Sequence, residues 1–399
     1  MNFQNQRVLM RVDFNVPLDS DNRITDDTRM RAALPTIRKV LDNGGSAVIM
    51  SHLGRPGKKR KSDGSVDVEK FTLQHVQNHL SELLDGATVH FSEDTVGSEA
   101  KKKAEALKPG EVLLLENTRF HEGETTGDRE FAQQLSELGD LYINDAFGTA
   151  HRAHASTTTV AGYFAPENRD FGDLMRREIE NADRVLNSPE RPLTAIIGGA
   201  KVSDKIVLLE RLVEFVDNII VGGGMAYTFI KAQGGDIGNS LCEDDKMDLA
   251  RRLVQRAEER GIRLLLPADS LAADDFSNDA HRRLVPSDQI PDGWMGLDIG
   301  EQACAEFDEV IQGSNTLLWN GPMGVFEMEN FANGTKTVAQ SVAEATRQGA
   351  FSLVGGGDSV AAVNQMELGG DVSYVSTGGG AMLEFLEGKE LPGIAAIKG

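Results

Sequence analysis

Apolar residues occur along this chain in short, branched runs separated by longer amphipathic stretches. Within residues 1–170 the runs are Val8–Val12, Ala47–Met50, Val112–Leu115 and Leu141–Ile143. Further on they are Leu193–Ile197, Ile219–Val221, Leu317–Trp319, Phe351–Val354 and Tyr374–Ser376. Runs this short, bounded by turn residues, predict buried strands, and strands alternating with helical spacing are the βαβ pattern of a parallel sheet. Between residues 173 and 187, Leu174, Ile179, Val185 and Leu186 recur at roughly helical spacing, which predicts a helix joining two halves. Pro189 and Pro192 stop that helix before the second sheet begins. The predicted class is α/β, with two domains, each a parallel sheet flanked by helices, joined by a hinge helix.

The strand ends differ between the halves. In the second half they are glycine turns. Leu193–Ile197 breaks into Gly198-Gly199-Ala200-Lys201-Val202-Ser203-Asp204-Lys205. Paired glycines after a strand and before an amphipathic stretch predict a helix N-terminus, where backbone N–H groups and the dipole favour an anion. Lys201 and Lys205, four apart, would set two ammonium groups on one helical face. This is not the GxxxxGK[ST] loop. The same grammar recurs at Gly222–Ala226, Asn320–Gly324, Gly355–Ser359 and Thr377–Gly380. Ligands of open α/β sheets sit at the carboxyl ends of the strands, so such turns can converge on one phosphate-bearing ligand. Asp358, after three glycines, suits Mg²⁺, a hard ion that prefers carboxylate and phosphate oxygens, and could equally cap the following helix. Glu327, past Trp319-Asn320, is placed to reach a ribose hydroxyl.

In the first half the strand ends carry Asp13–Pro17, Ser51–Pro56, Glu116–His121 and Asn144–His154, rich in arginine, histidine and asparagine. Arg29, Arg55, Arg119 and Arg152 can hold phosphate or carboxylate in a bidentate fork. His52, beside Gly54-Arg55, reads as a donor to a substrate anion. His151 and His154 are spaced for one metal-binding turn, but the further ligands such a site needs are not evident nearby. One half looks built for a small polyanion and the other for a nucleotide. The chain shows no Ser/His/Asp triad, no nucleophile elbow and no clear general base. A carboxylate acceptor needs no base, because it is already ionised at neutral pH and requires only alignment and charge stabilisation.

The charge narrows the partners. A formal net charge of −21 over 399 residues argues against general nucleic-acid or anionic-membrane binding. No apolar run approaches the ~20 residues of a membrane span, no signal-peptide core precedes Arg7, and Cys242 and Cys304 offer no CxxC pair. A cytoplasmic protein is expected. The charged segment 57–69, with Lys58-Lys59-Arg60-Lys61, predicts a mobile loop. The acidity also predicts a cytosol of high ionic strength, where a Debye length of ~3 Å at 1 M salt screens self-repulsion. Stability should then rise with KCl; a chain most stable in dilute buffer would contradict this.

Arg11–Pro17, Ser51–Pro56, Asn144–His154, Gly198–Lys205, Trp319–Glu327, Gly355–Ser359 and Ser376–Gly380 together resemble the phosphoglycerate kinase family, in family order from near residue 7 to the C-terminus. The resemblance implies a phosphoglycerate-binding domain over 1–170, a nucleotide-binding domain over 171–382, and a segment 383–399 returning to the first, with hinge closure excluding water. It implies a Mg²⁺-dependent, reversible transfer between 1,3-bisphosphoglycerate and ADP by a monomer. Asp13, Phe14, Asn15, Arg29, His52, Leu53, Gly54, Arg55, Arg119 and Arg152 would hold phosphoglycerate, with Arg29 also stabilising the group in flight. Lys201 would share that task, with Gly378, Gly379 and Gly380 opening a helix aimed at it. Lys201, Lys205, Gly296, Asn320, Glu327, Gly356, Gly357, Asp358 and Ser359 would hold ATP or ADP, with Asp358 on Mg²⁺. Departures from the family pattern are Thr118, where an aliphatic residue is usual, Glu301, where proline is common, and a slightly atypical Leu266–Asp269; the first two are not at ligand positions. A nicotinamide dehydrogenase is disfavoured by the lack of a GxGxxG opening a helix. A binding-only paralogue would have lost Arg29, Lys201 or Asp358, and all three are present.

Overall fold

The computed structural model describes all 399 residues, in two compact units: Met1–Ile179 with Lys389–Gly399, and Glu180–Gly388. The first division falls inside the helix Asp173–Asn187 and not at 170/171. The start of that helix is tied into the first unit, where Asp173 N–H donates to Thr36 Oγ1 (2.8 Å) and Met175 N–H to Asp145 Oδ1 (3.0 Å). The second division follows Gly388 and not 382, and the C-terminal residues are held in the first unit by Gly393 N–H on the Ala150 carbonyl (2.8 Å).

In the first unit β1 (Arg7–Arg11), β2 (Ser46–Met50), β3 (Val89–Ser92), β4 (Val112–Leu115), β5 (Leu141–Asn144) and β6 (Arg169–Phe171) form one sheet. Its order is β3-β4-β2-β1-β5-β6, and every pair is parallel. Successive residues face opposite cores. Val8, Met10 and Ile49 pack into one and Leu9, Val48 and Met50 into the other, which is why the central strands read as nearly continuous apolar runs. The edge strands β3 and β6 are only partly buried and carry His90, Arg169 and Asp170, so no apolar run announced them. Because β1 lies between β2 and β5, the connections diverge there and open a crevice at the carboxyl ends.

The second unit repeats the plan. Its sheet contains β7 (Leu193–Ile197) and β8 (Asn218–Val221); β9 (Asp236–Ile237) lies outside it, and β10 (Arg263–Leu265) is an edge strand. Next come β11 (Asp269–Ala273), β12 (Arg282–Pro286), β13 (Gln289–Ile290) and β14 (Met295–Ile299). The last three strands are β15 (Thr316–Asn320), β16 (Phe351–Val354) and β17 (Tyr374–Val375). The parallel sheet runs β10-β8-β7-β15-β16-β17. An antiparallel sheet β12-β11-β14 is added to it. Polar residues such as Asp269, Ser270, Arg282 and Arg283 hid those strands from the apolar pattern.

Segment 57–69 is largely exposed but not without structure. An isolated bridge joins Arg60 to Val66, and Asp67 caps a short helix, Val68–Phe71, that buries Phe71. No helix is long and apolar enough to cross a membrane.

Candidate active site

At the crevice of the first unit, loops after β1, β2, β4 and β5 bring together most of the polar residues expected there. Arg29, in the first turn of the helix Thr28–Asp42, places Nη1 3.1 Å from Asp13 Oδ2 and 3.3 Å from the Asn15 carbonyl. Asn15 Oδ1 accepts from Gly54 N–H (2.7 Å), which leaves its amide N–H groups for other partners. Arg119 donates through Nη1 to the Gly54 carbonyl (2.7 Å), while its buried Nε has no hydrogen-bond partner. Burial, together with the charges of Arg11 and Arg152, lowers Arg119 to about 10. An arginine held so unfavourably is a site that an anion would relieve. Arg152 contacts His151 Nε2 through Nε (3.1 Å), and Arg55 stands exposed. Phe14 and Leu53 are different. Both side chains are buried in the core, so any contribution from them is through the backbone.

Beneath this surface lies a charged network that the sequence did not single out. Arg11 and Glu124 are fully buried, with Arg11 Nη2 3.9 Å from Glu124 Oε1. Ser156 bridges them, accepting from Arg11 Nε (2.7 Å) and donating to Glu124 Oε1 (2.6 Å). Thr118 Oγ1 also donates to Glu124 Oε1 (3.3 Å), which adds a polar contact to the network. An arginine interrupting the apolar run Val8–Val12 was the available signal; Glu124, on an unremarkable polar stretch, gave none.

In the second unit a cavity of about 460 Å³ opens at the sheet's carboxyl edge. Four of the five glycine turns line it, through Gly199, Gly223, Gly324 and Asp358 among others, but Thr377–Gly380 does not. Tyr227, Leu241, Phe276, Met295 and Leu297 form an apolar wall, and exposed Glu327 and Asp358 add carboxylates to the lining. Gly296 is required there, because a Cβ would collide with the Tyr227 hydroxyl, which is fixed on Ser270 Oγ (3.0 Å). The wall comes largely from residues around the antiparallel sheet and was invisible in the sequence; only Gly296 was anticipated.

Several local expectations are corrected. Lys201 and Lys205 do not share a helical face, because the helix begins only at Ile206. Glu243 takes both the Ser203 N–H (2.9 Å) and Oγ–H (2.6 Å), tying down the turn before that helix. The Gly198 and Gly199 amides donate to the Asn320 and Pro322 carbonyls, so they brace neighbouring loops and do not face a ligand. Lys201 is exposed; Lys205 donates to Asn320 Oδ1, and burial lowers its pKa against the pull of Asp358. Asp358 is not the cap of its helix. Gly356, at φ 92°, holds that place, and Asp358 lies in the first turn. Ser359 Oγ is committed, accepting from Gly321 N–H (2.5 Å) and donating to the Gly355 carbonyl (3.1 Å). Asn320 Nδ2 is buried without a partner beside Gly356, an orphan donor where a phosphate oxygen would fit. Gly379, at φ 51°, precedes the helix Gly380–Leu386, and Gly378 N–H donates to Ser376 Oγ (3.0 Å).

Comparison with known proteins decides the family. The family model for phosphoglycerate kinase matches residues 1–389. The chain belongs to the phosphoglycerate kinase family. It is 52% identical to phosphoglycerate kinase of Porphyromonas gingivalis, covering 100% of this chain and 99% of that protein. It is 50% identical to the enzyme of Synechococcus elongatus, covering 99% and 96%. Among solved structures, phosphoglycerate kinase from Coxiella burnetii superposes with a TM-score of 0.88 at 41% identity, covering 100% of this chain and 97% of that one. The enzyme from Pyrococcus horikoshii gives 0.82 at 33%, with the same coverage. This protein is therefore a phosphotransferase of glycolysis, reversibly moving a phosphoryl group between 1,3-bisphosphoglycerate and ADP.

Proposed function

We propose that the first unit holds phosphoglycerate and the second the nucleotide. The observation that carries this is the contrast between the two crevices: one gathers guanidinium groups with an orphan buried N–H, the other an apolar cavity of about 460 Å³ beside glycine turns. The cavity lies in the range that small ligands occupy, and its apolar wall suits a base. Glu327 accepts from ribose, while Lys205, Asn320 Nδ2 and the backbone of Gly356–Gly357 receive phosphate oxygens. In the first unit Arg119, Arg152, Arg55 and His52 donate to phosphate and carboxylate, and Asp13 accepts from the hydroxyl of the hydroxy acid.

Asp358 fits a magnesium ion delivered with the nucleotide. Mg²⁺ is usually held by one or two carboxylates with phosphate oxygens and waters completing its shell, and Asp358 is an exposed carboxylate lining the cavity. When bound, the ion supplies charge neutralisation to the phosphates. The chain's own residues do the rest. Arg29 and Lys201 stabilise charge on the transferred group, the N–H groups of Gly379 and Gly380 add a helix terminus, and the carboxylate acceptor needs no base. The protein acts as a monomer in the cytoplasm.

Two variants test the division of labour. Gly296→Ala should raise KM for the nucleotide about tenfold, the scale of a modest overpacking penalty, and leave KM for phosphoglycerate unchanged. Arg119→Ala should do the reverse by about 10–100-fold, as expected for losing a charge-assisted hydrogen bond. Steady-state kinetics in which either variant moves the other substrate's KM would reject the assignment.

A further inference from the structure

We infer that Arg11, anchored on Glu124 through Ser156, is a positioning residue that fixes His52 as its Nε2–H tautomer, giving the first unit's crevice a permanent donor. This rests on the proposed reading that the crevice takes phosphoglycerate. Arg11 Nη2 lies 3.2 Å from His52 Nδ1. Guanidinium has donors only, so Nδ1 must accept and the ring proton must sit on Nε2. No competing acceptor draws the proton back: the nearest carboxylate, Asp13 Oδ1, is 3.9 Å from Nδ1, beyond hydrogen-bonding distance.

Arg11 is itself immobilised. Nε donates to Ser156 Oγ, Nη1 to the Val12 carbonyl and Nη2 to His52, so any rotation of the fork breaks at least one bond inside a fully buried site. Glu124 is locked in turn, accepting from Ser156 N–H (3.0 Å), Ser156 Oγ and Thr118 Oγ1. The groups facing His52 are Arg11, Arg29, Arg119 and His154, with Asp13 as the nearby acid. Burial first, and then the charges of Arg11, Arg119 and Arg29, hold the His52 pKa well below the usual histidine range. A histidine that titrated would change the charge of the crevice near neutral pH. One held neutral, with its proton on a fixed atom, donates to an anion at constant strength.

Long-range ¹H–¹⁵N correlation on the full-length, ¹⁵N-histidine-labelled protein reads the tautomer directly, with His52 assigned by its loss in His52→Gln. The expected spectrum has a protonated Nε2 and a bare Nδ1, unchanged between about pH 5 and pH 8, where free histidine titrates. A tautomer mixture, an Nδ1–H form, or titration in that range overturns the inference. Arg11→Lys keeps the charge opposite Glu124 but loses the fork, and should release the ring into mixed or titrating forms. It should also raise KM for phosphoglycerate by about tenfold with a smaller effect on kcat, the scale of one charge-assisted hydrogen bond. Ser156→Ala, which keeps both charges, is the second variant, with a weaker shift in the same direction. A wild-type spectrum retained in both variants also overturns the inference. If the tautomer is as expected but 3-phosphoglycerate leaves the His52 resonances unmoved, the substrate assignment fails and the tautomer does not.

Discussion

Arg29→Ala is expected to lower kcat by about 10³-fold or more, the range over which a single arginine stabilises transition-state charge in phosphoryl transfer. In the structure one nitrogen of Arg29 is held by Asp13 and the Asn15 carbonyl, and the side chain is 41% exposed. The fork is thus aimed by its neighbours yet still open to a ligand. Because that ion pair is partly solvated, its loss should cost little stability, and KM for the nucleotide should be unchanged. Arg29→Lys should fall between, retaining charge but not the bidentate geometry. The measurement is 3-phosphoglycerate with MgATP, the acyl phosphate being drawn off by a dehydrogenase and NADH. Turnover within tenfold of wild type in the alanine variant would remove Arg29 from catalysis.

The largest stability effect is expected from Glu124→Ala, a loss of about 3–5 kcal/mol, as found when one partner of a buried ion pair is removed. Arg11 would be left charged at zero exposure, and the Ser156 and Thr118 hydroxyls would lose their common acceptor. The contrast is Arg7 with Asp140, paired at 2.8 Å but 27% and 38% exposed. Arg7→Ala should cost under about 1 kcal/mol, as solvated pairs do. Urea unfolding of the two variants compares them. Equal losses would show that burial is not what gives the Glu124 network its weight.

The legible parts of this protein were those with a local cause. β4, β7 and β16 begin and end where their apolar runs do, because a strand buried on both faces is nearly all apolar, interrupted here only by the small buried Thr194 in β7 and Ser352 in β16. The helix Asp173–Asn187 was equally plain from its spacing and the prolines after it. The edge strands β3, β6 and β10 and the antiparallel sheet were not, since polar residues are mixed into their pattern. The loop Gly198–Lys205 shows a different failure. Its composition suits a helix start, but Glu243, 40 residues further along the chain from Ser203, holds its turn outside the helix.

The sequence by itself determined the α/β class, the two-part plan and the arginines, histidine and glycine turns that meet at the sheet edges. Those follow from periodicity and from motifs whose chemistry is written in adjacent residues. Only the tertiary structure decided which of these groups stay uncommitted and which are spent on the protein. Phe14 and Leu53 went to the core, Ser359 and the Gly198 and Gly199 amides to bracing, and Asn320 Nδ2 and Arg119 Nε were left without a hydrogen-bond partner. It also brought Arg11, His52, Glu124 and Ser156 into one buried network. Their hydrogen bonds join residues as much as 145 positions apart, and long-range closure of that kind leaves no periodic trace along the chain.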